Sequence, residues 1–188
     1  MTENWGGSYT TDTDMIQQLE YYHISTVAFG GFGADWSLLP VNQQEGLLKC
    51  GRRVGYRYQI SKVDVHVADS SFNFTTAWKN INIAPTYDNW DIQAYVVNET
   101  GELFSSLVTI PIKLRLLLND LTSPIQKNIS VTLNAGWKNQ KKLEMRIIVK
   151  DHVNYLLPMN LDMTGRNTDG SYKLFTMEVL NGKMYIQK

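Results

Sequence analysis

The chain has 188 residues, 43% of them apolar and 19% charged, with 18 basic side chains against 18 acidic ones. That is enough apolar material for one buried core and too much for a chain disordered by composition. Zero net charge removes the long-range pull toward nucleic acid or anionic lipid, so neither is expected as a dominant partner.

The first five residues, Met-Thr-Glu-Asn-Trp, have neither the basic nor the apolar stretch of a signal peptide, and no run approaches 18 apolar residues. The expected location is therefore a virion or the cytoplasm, with no membrane span. Residues 1–10 are polar and aromatic and read as an extended tail. Thr11-Asp12-Thr13-Asp14 places capping residues and two carboxylates before Met15, Ile16, Leu19 and Tyr22, which share one helical face. This predicts a short helix near 12–22. Ala28-Phe29-Gly30-Gly31-Phe32-Gly33-Ala34-Asp35-Trp36 is glycine-rich, but it lacks the Lys-Ser or Lys-Thr of a phosphate loop. It reads as a loop over the sheet edge or as an arm that packs on a neighbouring subunit. Phe29, Phe32 and Trp36 are its expected subunit contacts. Asn42-Gln43-Gln44-Glu45 has the form of a capping box and predicts one helical turn. The arm is assigned to 1–40 and the main domain to 41–188.

From Val54 the apolar residues recur every second position. Val54, Tyr56, Tyr58 and Ile60 lie on one parity, and Val63, Val65 and Val67 on the other. One extra residue near Ser61–Lys62 explains the slip, because it is the sequence form of a β-bulge. Strands are predicted near 54–68, 72–83, 91–98, 103–110, 112–118, 127–134, 143–150, 155–163, 172–180 and 183–187. Asn98-Glu99-Thr100-Gly101 reads as a hairpin loop, and Asn181-Gly182 as the strongest hairpin turn. Asn134–Asn139 and Asp162–Gly170 read as turn-rich links, the second lacking the spacing of a calcium loop. Short strands joined by turns, without a repeat period, predict an all-β antiparallel sandwich. A jelly-roll-like wiring is preferred, and an immunoglobulin-like one is the alternative, although no Cys…Trp…Cys pattern is present.

The segment Gly55-Tyr56-Arg57-Tyr58-Gln59-Ile60-Ser61-Lys62-Val63-Asp64-Val65 resembles the first long strand of viral jelly-roll coat proteins. That resemblance implies a virion or capsid component. The chain departs from many such proteins in having no Arg-rich N-terminus, so it implies no direct genome condensation.

Candidate chemistry is sparse. Cys50 is the one cysteine and reads as a small buried side chain. Asp64 and His66 share a strand face, and Asp151 adjoins His152, but no zinc or nucleophile motif surrounds them. No enzyme activity, metal or cofactor is expected. Lys49, Arg52, Arg53, Arg57 and Lys62 make the densest basic cluster. Because Arg57 alternates with Tyr56 and Tyr58, these do not form one stacking platform for nucleic acid. Trp78, Tyr87, Trp90 and Trp137 lie in or beside predicted loops, where aromatics anchor interfaces or stack on sugars. The expected function is a non-enzymatic structural subunit of a larger assembly, of capsid or tail type, whose partners are copies of itself or other assembly proteins. The alternative is a lectin-like module using those four aromatics.

Overall fold

The alternating segments pair into two antiparallel sheets in the computed structural model, which describes residues 2–4, 12–28, 36–118, 124–153 and 157–187. In chain order the elements are β1 (Thr2–Asn4), α1 (Asp12–Tyr22), β2 (Thr26–Ala28), α2 (Val41–Arg53), β3 (Tyr58–Val67), β4 (Ser71–Asn80), β5 (Trp90–Asn98), β6 (Val108–Ile110), β7 (Ile125–Thr132), β8 (Lys142–Asp151), β9 (Tyr172–Leu180) and β10 (Lys183–Gln187). One sheet has the order β3-β4-β7, and the other β10-β9-β8-β5-β6. β1 and β2 form a separate parallel pair.

The chain is an all-β antiparallel sandwich. The consecutive strands β3-β4, β5-β6 and β8-β9-β10 are neighbours within one sheet, with short turns joining β3 to β4 and β9 to β10. A jelly roll is instead wired as two Greek keys shared between its sheets. The strand order here follows the immunoglobulin-like alternative, with β10 added beyond β9.

The two sheets face each other across an apolar core. Phe72 and Phe74 of β4 meet Phe175 of β9 at ring-centroid distances of 5.7 and 6.2 Å. Burying each of these side chains contributes roughly 2–3 kcal/mol. Ile92, Ala94 and Val96 of β5 and Met145, Ile147 and Val149 of β8 complete the facing layer. The bulge stands where the parity slipped: Ile60 pairs with Trp78 and Lys62 with Ala77, which leaves Ser61 as the extra residue. The Asn181–Gly182 turn also forms, with φ of 51° and 72° at its two residues. Those angles fit a type I′ hairpin and suit an Asn-Gly pair.

Some expectations are corrected. The single helical turn near 42–45 is the 13-residue helix α2, which starts after Pro40 rather than at a capping box. Its buried stripe is Gly46 and Cys50, residues too small to make an apolar period conspicuous. α1 packs on it through Leu19, with Ile24 and Ile83 in the same cluster. The expected boundary at 40 therefore falls between two helices that touch. Tyr22, assigned to the buried face of α1, is exposed. The predicted strand 112–118 is an irregular segment around a 3-10 turn, Leu114–Leu116. Pro111 ends β6, and the Leu114 and Leu117 carbonyls are taken by the Tyr58 hydroxyl and the Asn80 amide at 2.9 and 3.2 Å. Of the predicted strand 103–110, only Val108–Ile110 is strand, joined by isolated bridges at Leu103 and Ser105. Residues 157–163 carry no strand; Met159 and Leu161 anchor them in the core. The remainder of that prediction, 155–156, lies outside the described residues.

Candidate functional site

Successive strand residues face opposite sides, so β5 and β8 each carry a second set of side chains on the outside of the five-stranded sheet. Tyr95, Val97 and Ile148 form a buried apolar cluster there, separate from the main core. They floor a groove of about 480 Å³ whose walls include Leu103, Leu107, Arg146, Lys150, Pro158 and Asp169. Leu103 is 50% exposed and Leu107 55%. Arg146 is held at 2.8 Å by Glu144, and the Tyr95 hydroxyl lies 3.4 Å from Asp169. Burial, reinforced by the Asp169 charge, pushes the Tyr95 phenol up. Partial burial opposes ionisation of Asp169. The Ser171 hydroxyl and amide donate to it at 2.6 and 2.9 Å, however, and with the Arg146 charge they hold it below the usual carboxylate range.

The outer face of the three-stranded sheet is different. Ser130 donates to Asn73 at 2.5 Å and Thr75 to Asn128 at 3.4 Å, giving a polar ladder. An antiparallel sheet ordinarily leaves such a face to water. The five-stranded sheet departs from that pattern.

A second groove, of about 380 Å³, opens at one end of the sandwich and is lined by Asp88, Trp90, Asp91, Lys113, Arg115 and His152 among others. His152 Nδ1 lies 3.0 Å from Asp91. Trp90 is half-buried because it shares the inward parity of Ile92 and Ala94 and closes the end of the core.

The four candidate ligand-binding aromatics are not brought together. Trp78 is fully buried, since β4 runs on to Asn80 and places Trp78 on the same inward side as Phe72 and Phe74. Trp137 is buried in the 3-10 turn Trp137–Asn139, beneath the Lys138 ammonium at 5.6 Å. Both are core residues rather than exposed stacking surfaces. Tyr87 is 64% exposed, and Trp90 lines the end groove. Trp36 is exposed at the start of a 3-10 turn, Trp36–Leu38. Phe29 and Phe32 lie outside the described residues.

The basic cluster is divided among local carboxylates. Arg53 pairs with Glu20, Arg57 with Asp162 at 3.3 Å, and Lys62 with Asp64 at 2.7 Å. Cys50 is buried. Among the described residues, no three His, Cys, Asp or Glu side chains come together as a metal-binding group. No helix among them is long and apolar enough to cross a membrane.

The outer-face groove was missed in the sequence because Tyr95, Val97 and Ile148 read as part of fully apolar runs in β5 and β8. Such runs mark a strand covered on both faces, and that was the available signal.

No family model matches the chain, and no curated protein matches it. A crystal structure of a DUF3823 family protein from Bacteroides ovatus is similar at 12% identity and a TM-score of 0.34, over 52% of this chain and 48% of that one. The alignment spans about half of each chain, and a likeness this slight says nothing of what the chain does.

Proposed function

We propose that the chain is a non-catalytic subunit of a larger protein assembly and that it contacts its neighbours through the outer face of the five-stranded sheet. One observation carries this reading. The two outer sheet faces are unlike, one a polar ladder and the other an apolar groove flanked by half-exposed leucines. Apolar surface rimmed by polar groups is the usual form of a protein contact site. Arg146 and Lys150 on the same face supply the polar rim. Capsid or tail membership is a narrower form of the same proposal, supported by the resemblance of the 55–65 segment and by nothing in the groove.

Light scattering and native mass measurement across protein concentration test it. The Leu103→Glu, Leu107→Glu double variant leaves the core untouched and is expected to weaken association by roughly tenfold or more, about 1.4 kcal/mol. Association that is unchanged in that variant would overturn the assignment of this face.

The lectin-like alternative keeps Trp90 and Tyr87, with Asp88, Asp91 and His152 near Trp90 to hydrogen-bond hydroxyls. Burial of Trp78 and Trp137 takes away half of its aromatic set. Glycan binding that disappears in Trp90→Ala is the result that would favour it instead.

A further inference from the structure

A sheet that is not closed ends in strands whose outer backbone groups are unpaired, and proteins guard those edges with bulges, charges or brevity. Three of the four edges here are guarded. β6 has 3 residues and β10 has 5. β3 is broken by the Ser61 bulge and bears Lys62, Asp64 and His66, and its Tyr58 carbonyl accepts the Asp162 amide at 2.8 Å. β7 differs. Its 8 residues pair with β4 without a register shift, contain no proline, and carry Lys127 as their one charge.

The outward groups of β7 follow from two hydrogen bonds just beyond it. The Leu133 amide donates toward β4, to the Ser70 carbonyl at 2.9 Å. The Asn134 amide donates the opposite way, to the Phe104 carbonyl at 2.8 Å. Alternation along the strand then turns the N–H and C=O of Gln126, Asn128 and Ser130 away from β4. Among the described residues nothing pairs with these groups, and the side chains of all three are exposed.

We infer that β7 is a homotypic docking edge, joining two copies of this chain through antiparallel β7–β7 pairing about a two-fold axis at Asn128. The inference deepens the assembly reading by naming a contact for it. In this register the groups of all three residues are satisfied: Asn128 faces Asn128 of the second copy, and Gln126 faces Ser130 in both directions. Each is a hydrogen-bonded antiparallel pair, and inward side chains stay inward on both sides. The outer face then continues the existing ladder, with Gln opposite Ser and Asn opposite Asn, the kind of polar pairing Asn73 and Ser130 already make. Lys127 falls opposite Ile129, so no like charges meet. A self-complementary patch is what a two-fold interface requires. The product is one six-stranded sheet of order β3-β4-β7-β7-β4-β3.

Asn128→Cys tests the axis directly. Opposed residues of a hydrogen-bonded pair have Cα atoms about 5.5 Å apart, within disulfide range, and the native Cys50 is buried. Oxidation with oxidised glutathione is expected to give a cross-linked dimer from Asn128→Cys and little from Thr132→Cys, which lies off the axis. Asn128→Pro removes an amide that β7 does not use in its own sheet. It is expected to raise the dimer dissociation constant by roughly a hundredfold, because the axis loses two donors at once. A folded Asn128→Cys chain that stays monomeric on oxidation overturns the inference, and so does equal cross-linking at Thr132→Cys. Undiminished association in a folded Asn128→Pro chain overturns this edge and leaves the assembly reading standing. A chain that is monomeric at every concentration overturns the homotypic edge and also counts against that reading.

Discussion

A few polar side chains fix the loops to the sandwich by being satisfied in several directions at once. Asn80 is buried and uses its whole amide: Nδ2 donates to Ala84 and Leu117 carbonyls at 2.8 and 3.2 Å, and Oδ1 accepts from Arg57 and Asn82 amides at 2.9 and 3.2 Å. The Tyr58 hydroxyl donates to Leu114 and accepts from the Thr86 amide, each at 2.9 Å. Burial raises the Tyr58 phenol and so keeps it in this neutral bridging form. Partners from so many positions could not be read from an Asn or a Tyr in a string. Asp169 gives a pH signature at the same scale. Its folded pKa is lowered, so its stabilising contribution is present above the ordinary carboxylate pKa and is lost as pH falls through the lower folded value. In urea unfolding, the stability difference between the native chain and Asp169→Asn is expected near neutral pH, should shrink as the pH falls through the ordinary carboxylate range and should vanish only below the lowered folded value. A difference that persists in acid would show that Asp169 acts other than through its charge.

At the level of elements, legibility tracked how much of the periodic signal each element carried alone. α1 and the strands β4, β5, β8, β9 and β10 came within a few residues of their observed bounds, because their alternation or stripe is apolar and uninterrupted. The bulge was legible for the same reason, since a one-residue slip inverts the parity of everything after it. Deleting Ser61 should therefore force Tyr58 and Ile60, or Val63 and Val65, onto the wrong face. Either shift costs roughly 3–5 kcal/mol, seen as a lower urea midpoint. A midpoint that is unchanged would mean that the strand re-registers without loss. A second slip, which leaves Leu174 unpaired on β9 opposite Met145–Arg146, was not legible. Lys173-Leu174-Phe175-Thr176-Met177 shows no clear parity change. α2 was underread because its buried stripe is Gly46 and Cys50. The 112–118 segment was misread because its alternation is real, while its backbone groups are claimed by Tyr58 and Asn80.

For the whole molecule, two apolar clusters have distinct owners. Among the described residues the main core includes none before Tyr58, whereas Leu19, Ile24, Cys50 and Ile83 form the cluster beneath the helices. Deleting residues 1–36 is accordingly expected to leave the sandwich folded by circular dichroism while uncovering Cys50. Its reaction with a thiol reagent should then accelerate by roughly tenfold or more over the full chain. An equally slow reaction would mean that α2 buries Cys50 without α1. The two outer sheet faces and the four edges are also properties of this scale.

Alternation along the chain was sufficient to establish the sandwich class, the bulge and the Asn181–Gly182 turn, because each depends on neighbours within a few residues. The immunoglobulin-like wiring, the burial of Trp78 and Trp137, the apolar groove over Tyr95 and the open edge of β7 depend on which strands lie side by side. Those pairings join residues as far apart as Asn73 and Ser130. Local spacing does not encode such choices, which follow from how two sheets pack around one shared core.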